Sequence, residues 1–158
     1  RSSTPRSPPR DGVPMTTTRP EDPAPDAGAT ARLIAAMPFA AWLGVRIDTA
    51  TPLEVTGSLA WAPERCTAGG ILHGGALMAL ADSLGGACTF LNLPQDAVTV
   101  TLESKTNFFR AVRADAVRAT ARPLHVGRTT IVVQTDLHDA EGRLVAQVTQ
   151  TQLVRPAA

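Results

Sequence analysis

Tyrosine is absent from the 158-residue chain, aromatic residues make up 4% of it, and cysteine occurs twice. So few rings favour a binding pocket lined by aliphatic side chains, although an aromatic group can also rest on Leu and Ala. Cys66 and Cys88 form neither a C-x-x-C pair nor a Cys/His cluster, so their spacing supports no metal site. Cys88 lies in an apolar stretch, where a small buried thiol is the expected state rather than a disulfide. Charge of one sign is lacking too: the net charge is +1 and charged residues are 18% of the chain, which excludes a global basic field for nucleic acid. No nucleotide-hydrolysis or flavin motif is present, so no cofactor is expected, and neither is a membrane partner. Residues 1–29 are rich in Pro, Ser, Thr and charge and contain no apolar h-region of a secretory signal. They cannot bury enough surface to offset their ordering entropy and are expected to be a disordered tail, with Met15 a candidate natural start. Free thiols without a leader favour a reducing cytoplasm.

What is present is one dominant stretch, CTAGGILHGGALMALADSLGGACTFL, from Cys66 to Leu91. After a glycine-rich turn and His73 it consists almost entirely of Ala, Leu and Met, strong helix formers, broken by Asp82 with Ser83 beside it. A helix apolar on every side is normally buried, and His73–Leu91 spans roughly 28 Å at 1.5 Å per residue. The spacing thus predicts a central helix with Asp82 buried at its middle. Such a carboxylate needs a partner or takes up a proton; the simplest partner is a nearby hydroxyl or backbone group. Gly74 and Gly75 stand where the helix begins, where unblocked N–H groups suit an oxyanion or a polarised carbonyl. An acid together with an electrophilic amide points to hydrolysis at a carbonyl.

Gly74 and Asp82 are separated by roughly 12 Å along such a helix, too far to meet at one carbon. Two antiparallel copies across a twofold axis could bring the Asp82 of one to the Gly74 of the other, making the active unit at least a dimer.

Around this helix the remaining pattern is regular. One domain fits the length, with order expected over 30–155. Thr30 is a candidate N-cap for a short helix carrying Leu33, Ile34, Met37, Phe39 and Trp42, interrupted at Pro38 and ended by Gly44. Packing over one end of the core is the expected role of Phe39 and Trp42. VRIDTA and LEVTGSLAW read as a hairpin turning at Thr51-Pro52. After Asn92-Leu93-Pro94, the run AVTVTLESKTNFF alternates so as to place Val98, Val100, Leu102, Thr106 and Phe108 on one buried face and Thr101 on the other. AVRATARPLHV follows, and RTTIVVQTDLHDAEGRLVAQVTQTQLV supplies two strands joined at Asp139–Gly142. A strand pair, a long helix and several antiparallel strands make an α+β fold in which a curved sheet wraps the helix.

HGGALMALADS, with its acid nine positions after the histidine, resembles the HGG-type hotdog-fold acyl-CoA thioesterases of the PaaI-like group, which include enzymes similar to 4-hydroxybenzoyl-CoA thioesterase. The resemblance covers about residues 31–155. It implies a hotdog fold dimerising into a double hotdog, and hydrolysis of an acyl-CoA to free acid and CoA by a homodimer or homotetramer with sites at the dimer interface. By this resemblance Asp82 acts as general base or nucleophile and the Gly74 amide polarises the thioester carbonyl. His73 either positions the thioester or fixes the turn by bonding backbone. Gly75, Thr67 and Thr101 are implied substrate contacts. Thr67 stands where many relatives carry Asn or Gln, and its hydroxyl is shorter. Phe109, Arg110, Val126, Gly127, Arg128 and Thr129 correspond to the CoA-contacting strand ends; the Gly127 N–H and the Arg128 guanidinium suit phosphate, the alternative being solvated strand-end charges. Two other readings keep the fold: a non-catalytic acyl-CoA binding or sensing module, and a hydroxyacyl-thioester dehydratase. Dehydratases resemble a different His-plus-acid arrangement. Which acyl group is bound is not encoded in the spacing.

Overall fold

The structure, a computed structural model, describes residues 27–157. Most of the expected tail, Met15 included, therefore lies outside the described residues. Its last three positions, 27–29, instead open helix α1, Ala27–Ala35. Thr30 is inside this helix and is not its N-cap; the alternating alanines at 27, 29 and 31 carry helical propensity backward past it. Pro38 then starts a separate short helix, α2 (Pro38–Leu43), which Gly44 ends in the left-handed conformation at φ 85°.

Strands β1 (Arg46–Ala50) and β2 (Val55–Ala60) form the expected antiparallel hairpin, closed where Thr51 N–H donates to Glu54 O at 2.9 Å. A loop with a single 3-10 turn leads into α3, Gly74–Leu91, and the chain continues as β3 (Ala97–Phe108), β4 (Ala116–Val126), β5 (Thr130–His138) and β6 (Leu144–Pro156). All six strands lie in one antiparallel sheet of order β1-β2-β4-β5-β6-β3. Helix α3 links an inner strand at one side of this sheet to the edge strand at the other, so it must cross the sheet's concave face. This is the hotdog arrangement.

Strand pairing puts side chains of partnered residues on one face. Val55, Leu59, Val117, Ala119, Ala121, Ile131, Val133, Leu137 and Val148 form the buried inner face against Leu77, Leu80, Ala81 and Leu84 of α3. Gly57 lets β1, β2 and α3 come together: a methyl group there would collide with Arg46 O and press on the Leu84 side chain. By length and composition α3 could cross a membrane, yet ten of its 18 residues are buried in this fold.

Two expectations change. Strand β3 does not alternate simply, because a bulge lies between Thr101, opposite Gln152, and Glu103, opposite Thr151. Leu102 is the extra residue. Before it, Thr99 and Thr101 face inward while Val98 and Val100 face out; after it, Ser104, Thr106 and Phe108 face inward. Phe39 and Trp42, expected to pack on the core, are 62% and 80% exposed and stack on each other at 5.9 Å. In so short a helix the buried stripe is one residue wide, and Ala40 occupies it.

Candidate active site

At the start of α3, His73 is the N-cap. Its Nδ1 accepts the Gly75 N–H at 2.9 Å, and its backbone oxygen accepts those of Ala76 and Leu77. The turn-fixing reading of His73 thus has a visible bond. It also corrects the expectation that both glycine amides are free: the Gly75 N–H is taken. No acceptor among the described residues takes the Gly74 N–H. Phe108, inward at the end of β3, lies over Gly74, where a methyl group would stand 3.2 Å from its Cζ. A cleft of ≈ 260 Å³ opens alongside, bordered by Phe39, Arg65, His73 and Gly75 among others.

Asp82 is not buried, contrary to the reading of an all-apolar helix. It belongs to an exposed stripe with Gly75, Met78 and Phe90, spaced by three, four and eight residues on the side of α3 that the sheet leaves uncovered. Apolar residues surround it without covering it. Its carboxylate leans back toward β6, where Gln150 Nε2 donates to Oδ1. The neighbouring Ser83 hydroxyl is engaged elsewhere, with Ala79 O at 2.7 Å. Partial burial raises the Asp82 pKa above the ordinary carboxylate value, and the Gln150 hydrogen bond works the other way. The thiol of Cys88, wholly inside, is pushed up to about 12 by burial and is inert.

The bulge returns Thr101 to the inner face, where its hydroxyl accepts from Gln152 Nε2 at 2.9 Å. The alternation reading had placed it on the polar side. Thr67 closes the 67–71 turn through its backbone, and its side chain makes no hydrogen bond to Asp82 or Gly74.

The six residues matched to CoA contacts fall into two groups that one chain keeps apart. Phe109 and Arg110 are tied to Val145 O at the start of β6, and Arg110 Nη1 also donates to Leu144 O at 2.7 Å. Val126, Gly127, Arg128 and Thr129 turn at the opposite end, where Thr129 O accepts from Val154 N–H. From Val145 to Leu153 a strand covers roughly 27 Å. Arg128 is exposed, but the Gly127 N–H donates to Thr130 O at 2.9 Å and is not available to a phosphate. The hairpin needs that bond to close.

Gln150 is the residue that sequence reading missed. It stands in the same alternating series as Val148 and Val154, so an amide in the apolar phase of β6 was the available signal. Its partner is 68 positions away, which no local pattern connects. No group of three or more His, Cys, Asp or Glu side chains among the described residues could hold a metal ion.

Residues 69–146 match a profile described as Thioesterase superfamily. A curated esterase of Pseudomonas aeruginosa is 33% identical over 117 residues, covering 73% of this chain and 81% of that one. The crystal structure of a mutant of that thioesterase superposes with TM-score 0.77 at 31% identity, covering 85% of this chain and 96% of that one. The 1,4-dihydroxy-2-naphthoyl-CoA hydrolase of Escherichia coli is 39% identical over 75 residues, 48% of this chain and 55% of that protein. The chain spans about half the length of most curated relatives it matches. A thioesterase of Streptococcus pneumoniae crystallised with coenzyme A has TM-score 0.65 at 29% identity, over 72% of this chain and 87% of that one.

Proposed function

This chain belongs to the Thioesterase superfamily, and we propose that it hydrolyses an acyl-CoA to free acid and CoA at sites shared by two copies. One observation carries the reading. The Gly74 N–H, which no acceptor among the described residues takes, and the half-open Asp82 carboxylate belong to the same helix, roughly 12 Å apart, beside β3, the edge strand of the described sheet. Neither group suffices alone, and a twofold partner pairing along β3 unites Gly74 of one copy with Asp82 of the other. The same operation brings Phe109 and Arg110 of one copy toward the Arg128 turn of its partner, joining the halves that 27 Å of strand separate. It also covers Met78 and Phe90 and removes an open sheet edge. CoA as the thiol half is supported by the coenzyme A in the S. pneumoniae structure and by the CoA thioester named for the E. coli relative.

Asp82, as carboxylate, takes a proton from water as the water oxygen adds to the thioester carbon. The carbonyl oxygen becomes an oxyanion that accepts from the Gly74 N–H, and the helix N-terminus stabilises its charge. Collapse breaks the C–S bond, and the proton held by Asp82 passes to the departing sulfur. In the nucleophilic variant Asp82 itself adds to the thioester carbon, and the C–S bond breaks to release CoA as its thiolate. Water then opens the mixed anhydride to the free acid and the Asp82 carboxylate, its protons leaving to the thiolate and solvent. Single-turnover hydrolysis in ¹⁸O-water tests the second route: label in the Asp82 side chain shows an anhydride opened at the Asp82 carboxyl carbon, which general-base hydrolysis never produces. His73, with Nδ1 occupied by the cap, serves by holding the Gly74 peptide in place. The unpaired thiols of Cys66 and Cys88 fit a reducing cytoplasm.

The test is complementation. Asp82→Asn and Gly74→Val are each expected to abolish CoA release from an acyl-CoA panel. Mixed dimers of the two restore one intact site, so an equimolar mixture regains about a quarter of wild-type turnover. A mixture as inactive as its components would overturn the shared site.

A further inference from the structure

Gln150 and Gln152 occupy successive inward positions of β6, 1% and 2% exposed, and their hydrogen bonding differs. Gln152 is satisfied at both ends of its amide: Nε2 donates to Thr101 Oγ1 at 2.9 Å, and Oε1 accepts from Thr99 Oγ1 at 3.0 Å. Gln150 has a single bond, from Nε2 to Asp82 Oδ1, and its buried Oε1 has no partner. A buried orphan acceptor costs stability that an apolar side chain of similar shape would not. Helix α3 also makes room for this amide: at Gly85 a methyl group would collide with Gln150 Oε1. The fold therefore keeps a costly side chain and opens its helix to it, for one contact.

From this we infer that Gln150 is a positioning residue for the Asp82 carboxylate: it holds Oδ1 and leaves Oδ2 presented to the reacting carbonyl. The inference rests on the hydrolytic role given to Asp82 above. No other side chain among the described residues donates a hydrogen bond to Asp82. Asp82 is the only charged side chain of α3, and the neighbouring inward residues of β5, β6 and β3 (Val133, Thr135, Val148, Ser104, Thr106) carry no charge. Ser83, the adjacent hydroxyl, is bonded to the helix backbone. A carboxylate gripped at one oxygen loses the freedom to rotate, which is the benefit of preorganisation at a base or nucleophile.

Gln150→Leu separates this role from a structural one. Turnover of the preferred acyl-CoA is expected to fall roughly 10- to 100-fold, the scale of one hydrogen bond to a charged group. The acid limb of the pH–rate profile should move to higher pH, since the carboxylate loses a donor. Thermal stability should hold or rise because the orphan oxygen is gone. Gln150→Glu, which keeps the shape but supplies no amide donor, should lose turnover as well. The Asp82 carboxyl titration, followed by ¹³C chemical shift in the intact protein, needs no turnover and should shift upward in Gln150→Leu. That shift would support the Gln150 contact even if wild type released no CoA from any thioester, an outcome that would sink the hydrolytic reading and the positioning role with it. An unshifted titration with wild-type turnover overturns the inference, as does lost turnover accompanied by lowered stability and an unshifted titration.

Discussion

The two sides of α3 are built from similar residues and have different fates. Leu77, Leu80, Ala81, Leu84 and Cys88 are sealed against the sheet, while Gly75, Met78, Asp82 and Phe90 face outward. Hydropathy alone does not separate them. What does is the size and chemistry of particular residues: the buried side is mostly Leu and Ala with small Ser83, Gly85, Cys88 and Thr89 between, and the open side contains the acid, a glycine, Met78 and Phe90. An all-apolar helix is therefore a sign of two burials, one by the chain's own sheet and one by something else.

Substitutions on the two sides should fail differently. Asp82→Asn should lower turnover by about 10²- to 10⁴-fold with circular dichroism and oligomer mass unchanged; comparable hydrolysis by the variant would remove Asp82 from the mechanism. On the sealed side, Leu84→Ala should cost about 2–5 kcal/mol of unfolding free energy, read from denaturant midpoints. Residual folded protein should retain its turnover per site. Met78→Lys places a charge at the centre of the open stripe. It should shift sedimentation toward monomer and reduce turnover while the monomer stays folded, and an undisturbed oligomer would argue that this stripe is not the contact.

The smallest effect concerns pH. Because the folded Asp82 pKa is raised, turnover through the carboxylate should rise as pH climbs past that raised value. Stability runs the other way: the folded state holds the proton more tightly than the unfolded chain, so Asp82 contributes most below its unfolded pKa. That contribution is lost as pH rises through the folded pKa. Asp82→Asn should accordingly be slightly more stable than wild type at neutral pH, and less distinct from it under acid conditions.

Much of this was readable in the sequence. The helix, the hairpins at Thr51–Glu54 and Asp139–Gly142, and the order of strands follow from periodicity and turn residues, which are local. The placement of Gly74 and Asp82 on one helix is local as well. What could not be read depends on contacts distant in sequence. The inward phase of Thr101 is set by an unmatched Leu102 against β6, the exposure of Asp82 by where the sheet stops, and the Gln150 contact by two elements meeting across the core. Phe39 and Trp42 were misread because hydrophobic character marks burial only when a surface is there to receive it.

The bulge in β3 works like an insertion that shifts a reading frame. Residues on its two sides obey opposite rules for which positions face the helix, and a single residue separates the two codes. Removing Leu102 would leave the composition almost unchanged. It would nevertheless merge the two codes into one: Thr101 opposite Gln152 and Glu103 opposite Thr151 would become consecutive pairs, so Thr99, Thr101, Ser104, Thr106 and Phe108 would all stay inward in a single unbroken alternation. What would go is the local bend and added twist that the unmatched residue gives the strand. In this strand, then, Leu102 sets the bend between the hydroxyls and the aromatic ring and not which side chains face the helix, and its deletion should leave both Gln152 contacts in place.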